Sequence, residues 1–340
     1  MRIVFVLMLL FVIEEMPAHA DEPYRILRTV TEGGNGGFDY IHADGADRRL
    51  YIARSGKTEP RIAVFDLDTL APAGEIAGVS AHGVAVDAAS HHGFASSSPV
   101  AMFDTQTQKV IRTMPIGGEA DGLLAADGRV YIHGGGSPNL TAYDPSDGRI
   151  IGTLDLKADP EQTVSDGNGH LYVDLNDKNQ VAVVDAKSLT VTARHDLGPG
   201  CGLPTGLAVD SVHRILFVGC RNPASLTVLD ADHGTILATV PIGLQNDGVA
   251  FNPATDEAFV PAGDGHLTIV KESTPTRFAV EQILDTPPGA RAVALDAKTG
   301  HVFLMTADYA PAAPGTVVKP GRIARGPMVP GTFKITEVGR

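Results

Sequence analysis

Apolar and polar residues alternate along the chain in short runs, and the runs come in sets. The clearest set begins Thr205-Gly206-Leu207-Ala208-Val209-Asp210 and continues with Arg214-Ile215-Leu216-Phe217-Val218. It then runs through Leu226-Thr227-Val228-Leu229-Asp230 and ends at Ile236-Leu237-Ala238-Thr239-Val240. Period-two alternation over four to eight residues, broken by Asp, Asn and Gly, predicts strands joined by tight turns. Seven such sets follow one another. Their first strands begin near Asp39, His82, Asp121, Gln162, Thr205, Asp247 and Arg291, spaced 39 to 44 residues apart. Four strands at a period of about 40 residues predict an all-β, seven-bladed β-propeller with four-stranded blades.

The second strands centre on Tyr51, Phe94, Tyr131, Tyr172, Phe217, Phe259 and Phe303, which are expected in the core with Leu123, Val164, Leu207, Val249 and Val293. Third strands end at Asp66, Asp104, Asp144, Asp185 and Asp230. Each Asp is expected to form an Asx turn to the outer strand. The sixth and seventh copies carry Lys271 and Thr336 there instead. The seventh copy stops after its third strand. Tyr24–Val30 matches the missing outer strand, so the N-terminal strand is expected to close the last blade and remove an open sheet edge.

Residues 1–20 change the picture of location. Arg2 precedes the apolar run Ile3–Ile13, too short to span a bilayer, and Ala18-His19-Ala20 has the small-x-small form of a cleavage site. The expectation is a signal peptide over 1–20 and one domain over 21–340, periplasmic or secreted, with no integral membrane segment once the signal is removed. A buried N-terminal strand is the alternative reading of that run. In an oxidising compartment Cys201 and Cys220 are expected to pair, because Cys201 precedes the first strand of its repeat and Cys220 follows the second. A soft-metal pair is the alternative.

Composition narrows the partners. The formal charge is −13, Trp is absent and aromatic residues make up 6%. Duplex DNA requires a basic surface, and single strands and sugars require stacking faces. Nucleic acid is therefore disfavoured, and a small polar ligand or an envelope protein is expected.

The repeats resemble the YVTN-type propellers, and most closely their YncE-like periplasmic branch. The likeness rests on Leu171-Tyr172-Val173, Val181-Ala182-Val183-Val184-Asp185, Pro204–Asp210 and Thr239-Val240-Pro241-Ile242-Gly243, and covers nearly all of Tyr24–Gly339. It implies a seven-bladed periplasmic or surface propeller without a settled catalytic role. DNA binding has been associated with that family; the acidity of this chain opposes it.

In a propeller, the loops leading into the inner strands and the loops joining second and third strands share one face. The first group supplies Asp39, His82, Asp121, Gln162, Asp247 and Arg291. The second supplies Arg54, His133, Asp174 and Arg221. Carboxylates with imidazole suit a divalent metal, for which Asp39, His82, Asp121 and Asp247 are candidates, with His82 and His133 as candidate bases. Arg291 could bind a carboxylate or phosphate in bidentate fashion, or pair with Asp247 or Asp39. Simple capping of strand starts by Asp-Gly pairs is the structural alternative. An insertion, Ala310–Pro330, is basic and proline-rich (Lys319, Arg322, Arg325). It is expected on the same face, covering the mouth, docking a partner or lying solvated. The leading expectation is a non-catalytic binder of a small polar ligand, a metal-bearing molecule or a protein at this funnel. A metal-assisted lyase or lactone hydrolase at the same site is the second reading, and an envelope scaffold the third.

Overall fold

The computed structural model describes residues 22–57 and 59–340. The signal peptide expected over 1–20 lies outside the described residues. Seven four-stranded antiparallel sheets form the molecule. Each of the first six blades runs inner to outer in chain order. Blade 1, for example, is Ile41–Asp44, Arg49–Arg54, Arg61–Asp66 and Pro72–Ala77, and blade 5 is Pro204–Asp210, Ile215–Arg221, Ala224–Asp230 and Ile236–Pro241. In blade 7 the chain returns to its beginning: the strands Val293–Leu295, Val302–Thr306 and Lys334–Gly339 are completed by Arg25–Thr31. Arg25 pairs with Gly339 and Thr31 with Lys334. Every inner strand contacts the inner strands on either side, from blade 1 round to blade 7 and back, so the ring is closed.

The second-strand aromatics Tyr51, Phe94, Tyr131, Tyr172, Phe217, Phe259 and Phe303 are all buried in the layers between blades. Leu207 and Val249 are buried as well. Leu123, Val164 and Val293 are only half-buried, at the edge of the core; Leu123 and Val293 face the axial cavity. The aspartates ending the third strands do form turns. Asp66 Oδ1 accepts the Thr69 amide at 2.9 Å, Asp104 Oδ1 the Thr107 amide at 2.6 Å and Asp185 Oδ1 the Ser188 amide at 2.7 Å.

Two blades depart from this rule. Blade 6 has no turn-forming Asp at Lys271, so its third strand continues to Thr274 and pairs through to Arg277. In blade 7 Phe303 pairs with Glu337. The position aligned with Asp66 is therefore Gly339, three residues beyond Thr336, because the insertion displaces the repeat spacing.

Cys201 and Cys220 form a disulfide with Cα atoms 5.3 Å apart. Cys220 lies within the second strand of blade 5 rather than after it, opposite Pro204. The bridge anchors the loop leading into the inner strand.

Candidate functional site

Inner strands start at the funnel face, and how they start decides which side chains converge there. In blades 2, 3, 4 and 5 the pairing of inner and second strands slips between Ala81 and Val84, Ala120 and Leu123, Pro160 and Thr163, and Pro204 and Gly206. Such bulges insert one extra residue and re-aim its side chain. The residues so placed are His82, Asp121, Glu161 and Thr205. In blades 1, 6 and 7 the paired strand begins later, and Asp39, Asp247 and Arg291 precede it. Backbone bonds tie neighbouring starts together: Tyr40 N donates to His82 O at 3.0 Å, and Asp247 N to Arg291 O at 3.1 Å.

The structure brings Asp39, His82 and Asp121 together, with one ligand atom from each within 4.8 Å of the others. His82 Nδ1 lies 2.8 Å from Asp39 Oδ2 and 3.7 Å from Asp121 Oδ1. The His82 side chain is 45% exposed, so the trio opens to solvent. The hydrogen bond to Asp39 raises the His82 pKa above its ordinary value against the opposing effect of burial. Burial pushes Asp39 up, but His82 and Arg291 outweigh it and leave the carboxyl below its usual range. Burial carries Asp121 up to about 6, with His82 opposing and Asp39 reinforcing.

Beside this trio runs a chain of arginines. Arg291 makes both of its expected bridges, with Nε 2.5 Å from Asp247 Oδ2 and a terminal nitrogen 3.3 Å from Asp39 Oδ1. Asp247 is 7% exposed and also pairs with Arg221, itself 5% exposed. Asp247, expected with the other carboxylates as a metal ligand, is not among the three donors that come together; Arg291 stands between it and Asp39. The insertion adds a third cation. It packs on the funnel face, where Ile323 N donates to Gln245 Oε1 at 3.1 Å and Gly321 sits so close to Arg221 that a Cβ there would stand 2.6 Å from the Arg221 backbone oxygen. Arg322 is thereby half-buried within the fields of Arg291, Glu161, Asp39 and Tyr40. Burial lowers its pKa, and Arg291 does so further.

The remaining expected residues play other parts. Gln162 occupies the position of Gly83 and Gly122. Its Oε1 accepts the Leu207 amide at 3.0 Å and its Nε2 donates to Asp247 O at 3.2 Å, bracing three blades. The residue equivalent to His82 and Asp121 is Glu161, one residue earlier than the repeat spacing suggests. Burial pushes Glu161 up to about 8 despite Arg221 nearby. Asp174 is fully buried, accepts the Gln162 amide at 2.5 Å and is pushed by burial to about 7. His133 is also fully buried, packed behind Gly122 where a Cβ would stand 2.2 Å from its Nε2. Burial lowers its pKa to about 4. Arg54 stands away from the trio at the seam of blades 1 and 7, its guanidinium 3.8 Å above the Phe333 ring and bonded to Asn35 O at 3.2 Å.

Sequence reasoning missed Glu161 and Tyr40. The signal for Glu161 was the Pro160-Glu161-Gln162 triplet aligned on Ala81-His82-Gly83. Tyr40 lines an axial cavity of about 160 Å³ with His42, Leu123, Gln162, Val249 and Val293. Burial and the carboxylates of Asp121, Glu161 and Asp39 hold its phenol well above the usual range. The funnel thus has an acidic side, built by blades 1 to 4, and an arginine side, built by blades 5 and 7 with the insertion.

No family model and no curated protein matches the chain. Solved structures match its fold. A chain of the Mitotic Checkpoint Complex crystal structure aligns with a TM-score of 0.71 at 16% identity, over 88% of this chain and 95% of that one. The β-propeller domain of Myceliophteria thermophila Cps50 (Swd1) aligns at 0.67 and 12%, over 93% and 99%. A chain of Kuenenia stuttgartiensis hydrazine synthase aligns at 0.68 and 14%, over 79% and 92%. At these identities the likeness is one of fold alone, and a propeller fold does not by itself fix a function.

Proposed function

We propose that this propeller binds a small polar ligand with a cationic and an anionic end, or a metal-bearing anion, at its funnel mouth. The observation that carries the reading is the split of charge across one opening. Asp39, His82 and Asp121 offer two carboxylates and an imidazole on one side, a donor set suited to a divalent cation or an ammonium group. Arg322 offers a guanidinium fork to a carboxylate or phosphate on the other, beside Arg291, which is tied to Asp247 and Asp39 and adds its positive field. The insertion packs against Gln245 and Arg221 and so sets Arg322 on the arginine side of the opening.

The reading places the protein in the periplasm or outside the cell, as a YncE-like YVTN propeller. The Ile3–Ile13 run with Ala18-His19-Ala20 supports this, as does the Cys201–Cys220 disulfide. Among the described residues no helix is long and apolar enough to cross a membrane.

Calorimetric titration of metal-stripped protein with Mn²⁺ alone, citrate alone and the two together tests the reading. The pair should bind more tightly than either part. His82→Ala should remove the cation contribution and Arg322→Ala the anion contribution, each with folding intact. Absence of binding and of melting shifts with all three probes would overturn it.

A second reading, metal-assisted lactone hydrolysis or lyase chemistry, is favoured by one feature. The Asp39–His82 pair beside Asp121, whose pKa burial raises to about 6, has the make-up of an acid–base couple working near neutral pH. Turnover of lactones that vanishes on chelation and in His82→Ala would select that reading over simple binding.

A further inference from the structure

On the face opposite the funnel, several inner strands lead into a turn capped by an Asp or Asn at or just past their end, as at Asp44, Asp87, Asp210, Asn252 and Asp296. Asp87 Oδ2 accepts both the amide and the hydroxyl of Ser90, at 2.9 and 2.6 Å. Asp296 Oδ2 accepts the Thr299 hydroxyl at 2.8 Å and a nitrogen of Arg48 at 2.8 Å. In blade 5 the position of Ser90 and Thr299 is His213. Asp210 Oδ1 accepts the Val212 amide at 2.8 Å as the pattern requires, but its Oδ2 faces the imidazole, 2.7 Å from Nδ1.

A second carboxylate arrives from blade 6. Just past the end of the third strand, several blades repeat one backbone bond to the preceding turn. The amides of Leu67, Thr105, Ala186 and Ala231 donate to the carbonyls of Arg48, His91, Gly169 and Arg214. Their side chains fill a closed slot with apolar or small groups. Glu272 makes the same bond, to Asp256 O at 2.8 Å, but places a carboxylate in the slot, 2% exposed. The extension of this strand beyond Lys271 carries Glu272 there. Its Oε1 lies 2.8 Å from the same His213 Nδ1.

Asp210 Oδ2 and both oxygens of Glu272 are buried without a well-formed hydrogen bond. Nδ1 has a single hydrogen or a single lone pair to divide between two anions. If the ring is protonated, one carboxylate is still left to be neutralised in a closed slot, with Asp256 nearby adding to the negative field. Buried polar groups left in this state are costly. A divalent cation gives all three donors a bond and neutralises two carboxylates beside a neutral imidazole. Mixed oxygen and nitrogen donors favour a first-row transition ion over calcium or magnesium.

We propose that Asp210, His213 and Glu272 bind a divalent first-row transition metal, of the zinc or manganese class, that clasps blade 5 to blade 6. The three donor atoms lie within 4.8 Å of one another, close enough for small side-chain rotations to meet one ion. His213, 37% exposed on its side chain, leaves room for water to complete the coordination.

The test uses the full folded chain in a His82→Ala background, so that the funnel contributes nothing. Metal-stripped protein is titrated with Co²⁺, read by its visible absorption, and with Zn²⁺, read by melting temperature. One equivalent of Co²⁺ should give a d–d spectrum. Zn²⁺ at about 100 times its Kd should raise the melting temperature by roughly 4 °C for a chain of this size. Glu272→Ala restores the small residue that Ala186 and Ala231 supply elsewhere, so it should fold, and it should lose both signals, as should His213→Ala. Retention of both signals in these two variants would overturn the proposal. So would their absence from the His82→Ala parent, which would leave the trio an ion cluster.

Discussion

The two faces of the ring carry the same three chemical groups, an Asp, a His and a second carboxylate, in different settings. At the funnel, Asp39, His82 and Asp121 come from three blades, remain open to solvent and lie against Arg291. On the opposite face, Asp210, His213 and Glu272 come from two blades, and both carboxylates are buried without an arginine partner. Nearby arginine lowers the affinity of a carboxylate trio for a cation and adds affinity for an anion. Open exposure permits exchange, whereas burial favours permanence. The funnel trio is therefore suited to an exchangeable, charge-divided ligand. The opposite trio is suited to a structural ion. The difference arises from whether the repeat rule is bent at strand starts, as by the bulges at His82 and Asp121, or at strand ends, as by the run-on of blade 6.

The most damaging way to break this comparison is to remove the acid that keeps the funnel arginines in place. Asp247→Leu leaves Arg221 and Arg291 half-compensated in a buried setting. Loss of one partner from a buried ionic network costs about 3–5 kcal/mol. Urea unfolding should show that loss, and ligand binding at the funnel should fail with it. No comparable arginine network exists among the described residues around Glu272, so Glu272→Ala should cost far less when metal is absent from both proteins.

A smaller effect is set by pH. Glu161 and Asp174 have folded pKa values near 8 and 7, above the unfolded values, and His82 is raised as well. Between pH 6.5 and 8 the folded state therefore holds more protons than the unfolded one, and stability must fall as pH rises through that window. One group contributes a slope of at most about 1.4 kcal/mol per pH unit. Glu161→Gln should flatten the slope in denaturant titrations at pH 6.5, 7.25 and 8. At lower pH the sign reverses for His133, whose folded pKa near 4 makes its protonation a cost that grows as pH drops below 6.5. A profile that rises from pH 6.5 to 8 would show that the crowded acids of blade 4 do not govern the funnel.

The repeat made most of the fold legible. Turn-forming aspartates, buried second-strand aromatics and the missing outer strand each follow from local pattern, and the ring follows from their sum. What stayed hidden depended on single-residue slips. A bulge changes which residue faces the axis, so Gln162 was read where Glu161 stands. The insertion moved the register of the last strand from Thr336 to Gly339. The trio at Asp210 was invisible for another reason. His213 and Glu272 are 59 positions apart in the chain, and each looks like an ordinary turn or surface residue until the packing of blades 5 and 6 brings them together.

The smallest stability effect is also the sharpest discriminator. His82 is 45% exposed, lies at the rim and bridges two carboxylates that Arg291 and solvent also satisfy. Its replacement by Asn should change folding stability by no more than about 0.5 kcal/mol, the usual range for exposed positions outside a packed network. The cation contribution to binding at the funnel should nevertheless be lost, since Asn cannot supply an imidazole lone pair. His213→Asn should behave in the reverse way. It should leave funnel binding untouched, and it should lower the melting temperature only when Zn²⁺ is present during the scan of the unmutated chain. Parallel melting curves of the two variants, each with and without Zn²⁺ and each titrated with Mn²⁺-citrate, separate an exchangeable mouth from a fixed clasp. If both variants lost the same property, the two trios would be equivalent sites, and exposure and arginine contact would not be what sets them apart.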